Sequence, residues 1–193
     1  MATISWGKPT ILIAPTGTAP LSSASSSGAY SWQQLSTPVE DSTNLTGTQG
    51  DKTEATIEGG EAEATKFAAA TFELAMNVRM ALDSNVYRRL PKPFYKETTG
   101  NNAYKEYTTS NVAVLLIPEE ENAPGFYCPD CSVSVMETYT AADGAMWEIT
   151  LAPNASTNVK AVQFGQYYAV MKADPESDGT QMWQAVIGPH TNS

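Results

Sequence analysis

The sequence predicts a mainly β fold, a β-sandwich or barrel with one flanking α-helix and long loops or arms. Three observations carry that prediction. Phe72, Leu74, Met76, Val78 and Met80 alternate strictly with Thr71, Glu73, Ala75, Asn77 and Arg79, which is strand spacing with one buried face. A helix would scatter those five large side chains around its circumference. Gly59-Gly60 stands between two alternating runs, a hairpin signal because both turn residues can take positive φ. Short apolar runs punctuated by turn residues continue to the C-terminus, with room for a single helix.

Along the chain, residues 15–29 are rich in Ser, Ala, Gly, Thr and Pro and cannot pack a core, so 15–31 is expected to be a flexible arm or loop. Residues 36–51 carry Pro38, Asp41, Asn44, Gly47 and Gly50 and read as turn-rich. Within an extended acidic loop or hairpin spanning 36–63, Thr53, Ala55 and Ile57 alternate with charged and polar residues, and the run from Glu61 to Phe67 answers them beyond Gly59-Gly60. The helix is expected over 80–90, stopped by Pro91 and Pro93. Further strands are expected at 111–117, 132–139, 146–151, 159–171 and 181–187, with turns at Asp143-Gly144 and Asp178-Gly179. The 111–117 run is apolar on both faces and should be central. No internal repeat is visible, and 193 residues suit one domain, 1–193, whose core needs no disulfide or metal.

Charge narrows the function. Lys and Arg number 11 against 21 Asp and Glu, a net charge of −10. Nucleic-acid binding needs cations that displace counterions from phosphates, and anionic lipid needs the same sign. The charge is uneven: residues 40–63 hold seven acids against Lys52, whereas 64–110 hold seven bases against four acids. The two segments are either complementary between subunits or two solvated surfaces. The one apolar run near the N-terminus, Ile11-Leu12-Ile13-Ala14, is too short for a signal-peptide core, so a soluble protein made in the cytoplasm, with no membrane partner, is expected. On that expectation the sequons at Asn44 and Asn154 are chance matches.

Chemistry-bearing residues are few. The single histidine, His190, is the fourth residue from the C-terminus, and no nucleophile-elbow, P-loop, dinucleotide-binding or zinc-protease motif occurs. Cys128-Pro-Asp-Cys131 has the spacing of half a zinc site or a redox pair, but no second half follows. It reads as a turn with two reduced thiols, an oxidised pair or a site shared between subunits being the alternatives. Glu119-Glu120-Glu121 reads as a solvated loop tip rather than a calcium loop. On the expected hairpin, Glu54 and Glu58 share a face, as do Glu61 and Glu63. An exposed ladder of this kind lacks the burial that would split carboxylate pKa values for acid–base work. Trp6, Trp32, Trp147 and Trp183 read as core and interface aromatics. The expectation is no enzyme, no cofactor and no metal.

The segment Trp32-Gln-Gln-Leu35, followed by Thr37 through Thr46, Gly50 through Glu61 and the alternating strand to Met80, resembles the major tail tube proteins of long-tailed bacteriophages, particularly prophage-type ones. The resemblance implies a tail-tube-type β-sandwich with a flanking helix. It implies hexameric rings whose inner strands join into a continuous barrel, stacked into a tube through which DNA passes. It places the protein in the virion tail, with itself and other tail proteins at the tube ends as partners. Lumen acids are then expected among Glu54, Glu58, Glu61, Glu63 and Glu73, and inter-ring or inter-subunit contacts among Asp41, Asp51, Arg88, Arg89, Lys92 and Lys96. The −10 charge suits a conduit, because each phosphate gripped by a cation would slow transit. The alternative from another class is a monomeric carbohydrate- or protein-binding β-sandwich; a small hydrolase using paired carboxylates is a third.

Overall fold

A computed structural model describes residues 7–25, 28–35, 38–39, 41–56, 62–68, 70–79, 95–97, 105–107, 111–120, 123–142, 144–154, 162–174 and 181–189. Fourteen strands occur among them: β1 Thr10–Pro15, β2 Trp32–Gln34, β3 Asn44–Thr48, β4 Lys52–Thr56, β5 Ala62–Phe67, β6 Thr71–Arg79, β7 Tyr95–Glu97, β8 Lys105–Tyr107, β9 Val112–Ile117, β10 Gly125–Thr140, β11 Gly144–Pro153, β12 Gln163–Gly165, β13 Tyr167–Met171 and β14 Met182–Ile187. The fold is mainly β. The helix expected over 80–90 lies outside the described residues.

Ten strands make one sheet, in which the path β13-β14-β2-β1-β9-β10-β11-β6-β3 is antiparallel throughout and β12 adds to β10 beside it. β9 sits between β1 and β10 and is buried on both faces, as its unbroken apolar run requires. Its alternate side chains feed two cores. Val112, Val114 and Leu116 join Ile11, Ile13, Leu74, Met76, Val78, Phe126, Trp147, Ile149 and Leu151 in the larger one. Ala113 and Leu115 join Leu12, Ala14, Trp32, Tyr127 and Ala185 in the smaller one. β6 shows the alternation read from sequence: Leu74, Met76 and Val78 are buried between half-buried or exposed neighbours.

β10 changes neighbours midway. Residues Phe126 to Cys131 pair with β9, and Cys131 to Thr140 pair with β11. Gly125 opens this strand where the backbone runs against β9. A Cβ there would collide with the Leu116 carbonyl oxygen and lie 3.0 Å from Pro118 Cδ.

Three sequence expectations change. Cys128-Pro-Asp-Cys131 is no turn. It lies inside β10 as a bulge, because an extra residue absorbs Pro129, which has no N–H to give the ladder. The run expected as one strand over 159–171 holds two, β12 on β10 and β13 on β14, separated at Gln166. Finally, 44–48 within the turn-rich segment is a strand, β3, on the edge beside β6. The Ser-rich stretch from 15 lies along β14: Leu21 exchanges backbone bonds with Ala185 and Ile187, and the buried Gln184 amide donates to the Ser25 and Gly28 carbonyls at 2.6 and 3.0 Å.

Candidate functional site

The acidic segment is built into one long hairpin. β3 pairs β6 with Thr48 opposite Thr71, and β4 pairs β5 with Lys52 opposite Phe67. Between them the Ala68 N–H donates to the Asp51 carbonyl at 2.9 Å. All three rungs keep one register, so the β4–β5 pair follows the β3–β6 pair as a two-stranded ribbon, although the two pairs belong to different sheets and Ala69 lies outside the described residues. Its base belongs to the large sheet, and its outer part, β4–β5, pairs only with itself among the described residues. The register slips by one residue after Ala55–Ala64, leaving Glu63 without an opposite partner. That slip interrupts the carboxylate ladder that strict alternation predicts.

The expected lumen and contact residues fall as follows. Glu73 is exposed on β6 opposite Thr46, and Glu54 lies on β4 opposite Thr65. Asp51 is exposed. Asp41 is exposed with φ of 58°, a left-handed conformation that Asp tolerates. Lys96 sits in β7 opposite Glu106 of β8. Glu58, Glu61, Arg88, Arg89 and Lys92 lie outside the described residues.

The strand edges are a second feature, one that residue patterns do not reveal because pairing is a property of the folded chain. Among the described residues, β3 pairs only with β6, β13 only with β14, and β12 only with β10. Among the described strands, β10 beyond Cys131 pairs with β11. Large exposed apolar side chains gather on or beside these edges: Met136 and Tyr139 on β10, Phe164 on β12, Met171 on β13 and Ile187 on β14. The edge segments carry few of the charges that blunt edges in monomeric sheets; Glu137 is the sole one between Ser132 and Thr140.

The third feature is a shallow hollow of about 280 Å³ lined by Trp183, Tyr167, Tyr168, Ile117, Glu119 and Glu120, among others. The Trp183 indole N–H is buried, with no hydrogen-bond partner among the described residues. Burial raises the Tyr167 phenol above its ordinary range, and its hydroxyl donates to the Gln163 carbonyl at 3.2 Å. Glu119 and Glu120 are exposed, as a loop tip should be, and the Glu119 carboxylate accepts the Lys8 backbone N–H at 2.9 Å. Trp32 and Trp147 are core residues. Trp6 lies outside the described residues.

No protein-family model and no curated protein matches the chain. Among the described residues no helix is long and apolar enough to cross a membrane.

Proposed function

We propose that this protein is a non-enzymatic structural subunit that assembles with copies of itself, through its strand edges, into the stacked rings of a phage tail tube. The observation that carries the proposal is that β12 and β13 each pair with a single strand among the described residues and carry the exposed apolar side chains Phe164 and Met171. Unpaired edges template further strand pairing, and a closed ring of subunits removes them. The finer architecture belongs to the same reading: the sheet folds over at β10 into two layers around the larger core. In support, Phe164 of β12 meets both Phe126 of β10 and Phe72 of β6 edge-to-face, with ring centroids 6.5 and 6.1 Å away. The outer ribbon β4–β5 then reaches a neighbouring subunit or ring. The bore is acidic, with Glu54 and Glu73 candidates for its lining, so DNA passes without being held.

Light scattering and negative-stain microscopy of the purified full chain test the proposal. Rings or tubes are expected. A second variant removes residues 49–70 and joins Thr48 to Thr71 through an Asn-Gly turn, which keeps β3 paired with β6. It should fold, remain small and form no tubes. A strict monomer at high wild-type concentration would overturn the proposal. The hollow at Trp183, with aromatic walls, favours the second reading of a monomeric glycan- or protein-binding module. Saturable glycan binding by that monomer would then be the finding.

A further inference from the structure

Side chains alternate along a strand, so residues three apart should fall on opposite faces of the sheet. Cys128 and Cys131 do not. Both are buried in the larger core, and the Cys131 thiol donates to Cys128 Sγ at 2.7 Å. The bulge is the cause. Cys128 stands opposite Val114 and Cys131 opposite Val112, so three steps along β10 cover two along β9. The extra residue restores parity and turns both sulfurs to one side.

The bulge is braced from outside. The Pro129 carbonyl accepts the Gly17 N–H at 2.9 Å, and the Asp130 carbonyl accepts the Asn154 N–H at 2.8 Å. Asp130 Oδ1 accepts from Asn111 Nδ2 at 2.7 Å and from Thr16 Oγ1 at 3.1 Å. Three separate segments therefore hold the geometry that brings the thiols together. Among the described residues no group of three or more His, Cys, Asp or Glu is placed to hold a metal ion. The pair also marks the point where β10 leaves β9 for β11, since Cys131 faces Val112 on one side and Pro153 on the other.

We infer that Cys128 and Cys131 are a dithiol–disulfide couple, closing an intramolecular disulfide across the β10 bulge when a low-molecular-weight disulfide serves as oxidant. Cys128 is the attacking sulfur. The hydrogen bond from Cys131 holds its thiol below the ordinary range, and that bond with burial holds Cys131 above it. The Cys128 thiolate attacks one sulfur of the reagent, breaking the reagent's S–S bond and releasing one small thiolate. That thiolate takes the Cys131 proton. The Cys131 thiolate then displaces the second small thiolate from Cys128, forming the protein S–S bond, and that thiolate takes up from water the proton that Cys128 had given up. Two protein thiols are oxidised and one small disulfide is reduced to two thiols. Because both sulfurs are buried, attack requires the bulge to open, so oxidation is slow in the folded chain and faster in mild denaturant.

The test uses the full chain and oxidised glutathione, with and without sub-denaturing urea. Samples are acid-quenched, unfolded, alkylated with N-ethylmaleimide and read by mass spectrometry. The expected product is a peptide containing Cys128 and Cys131 that carries no alkyl group and has lost two hydrogens, from a chain that runs as a monomer without reductant. Reduction should restore both alkylations, and the oxidised protein should unfold at higher urea than the reduced one. Cys131→Ala, which lacks the resolving thiol, should instead accumulate a glutathione adduct on Cys128. Full alkylation of both thiols after oxidant, a persistent glutathione adduct on the wild type, or a bridge between two chains would each overturn the inference. The wild-type measurements decide the matter even if the variant fails to fold.

Discussion

Replacing Met136 and Tyr139 together by Lys should abolish assembly while leaving the subunit folded. Both residues lie on the part of β10 that, among the described strands, pairs with β11, and they are 57% and 69% exposed. A Tyr buries roughly 200 Å² when fully covered, so covering its exposed share removes about 140 Å² from water, worth about 3.5 kcal/mol at 25 cal/mol/Å². The exposed share of Met136 adds about 1–2 kcal/mol. The pair thus contributes up to about 5 kcal/mol to each subunit contact, between three and four decades in an association constant. Two lysines remove that term and set charges against a desolvated edge. The Tyr139 hydroxyl's bond to Glu137 at 2.8 Å is on the surface and its loss costs the monomer little. Sedimentation velocity across a concentration series, with thermal unfolding by circular dichroism, reads both effects. Unchanged assembly in the double variant would refute the assignment of this edge to the interface. A large fall in unfolding temperature would mean that these side chains hold the subunit's own fold.

Three further outcomes follow from packing and titration. Gly125→Ala drives a methyl group into the backbone of Leu116, with no flexible side chain to yield, and should destabilise by about 1–3 kcal/mol in urea titration. Gln184→Leu removes the amide that donates to Ser25 and Gly28 and accepts the Ser25 N–H at 3.3 Å; a loss of about 1–3 kcal/mol and faster proteolysis near residues 22–28 should result. Tyr127 is raised from 10.0 to about 12, first by burial and then by the Cys128, Tyr167 and Cys131 charges. Ionisation is therefore easier in the unfolded chain, and the stability present below pH 10.0 should decline as pH rises toward about 12. Tyr127→Phe should flatten that decline in urea midpoints taken on either side of pH 10.0, while losing the bond its hydroxyl donates to the Thr18 carbonyl at 2.9 Å.

The strands legible in the sequence are those whose burial leaves a periodic mark. β6 has one buried face and alternates, and β9 has two and does not, yet each pattern admits one reading. β1 is as long as β9 and nearly as buried, but only four apolar residues, Ile11 to Ala14, stand between Thr10 and Pro15, against six in a row in β9. β3 was hidden by composition. Asn44 and Gly47 are turn formers, and only pairing with β6 makes a strand of them. The Cys-Pro-Asp-Cys segment failed for the same reason: Pro and Asp signal a turn locally, whereas the ladder on both sides converts them into a bulge. The acids of the hairpin could be named from the sequence. The slip at Glu63, which shifts the pairing of Thr56 to Ala62, could not, because it depends on the folded pairing.

The ribbon formed by β4 and β5 argues for a surface outside the subunit. A two-stranded hairpin alone in water is marginal, since it pairs backbone groups without removing much apolar area from solvent. Here Asp51, Lys52, Thr53, Lys66 and Ala68 are all exposed. Yet the ribbon continues the register of β3 and β6 without a break until Ala55. Among the described residues, none of the buried clusters of the sheet has a member on it. Its stability within one chain rests on the template its base supplies. A partner that covered one face would add what the isolated ribbon lacks, and a polar, charged face suits a neighbour that is itself water-soluble before assembly. The prediction is graded. Amide hydrogens of β4 and β5 should exchange far faster than those of β6 and β9 in the unassembled chain, and should slow on assembly. Equal protection in both states would mean that the ribbon docks on its own subunit, and the inter-subunit role would pass to the edges alone.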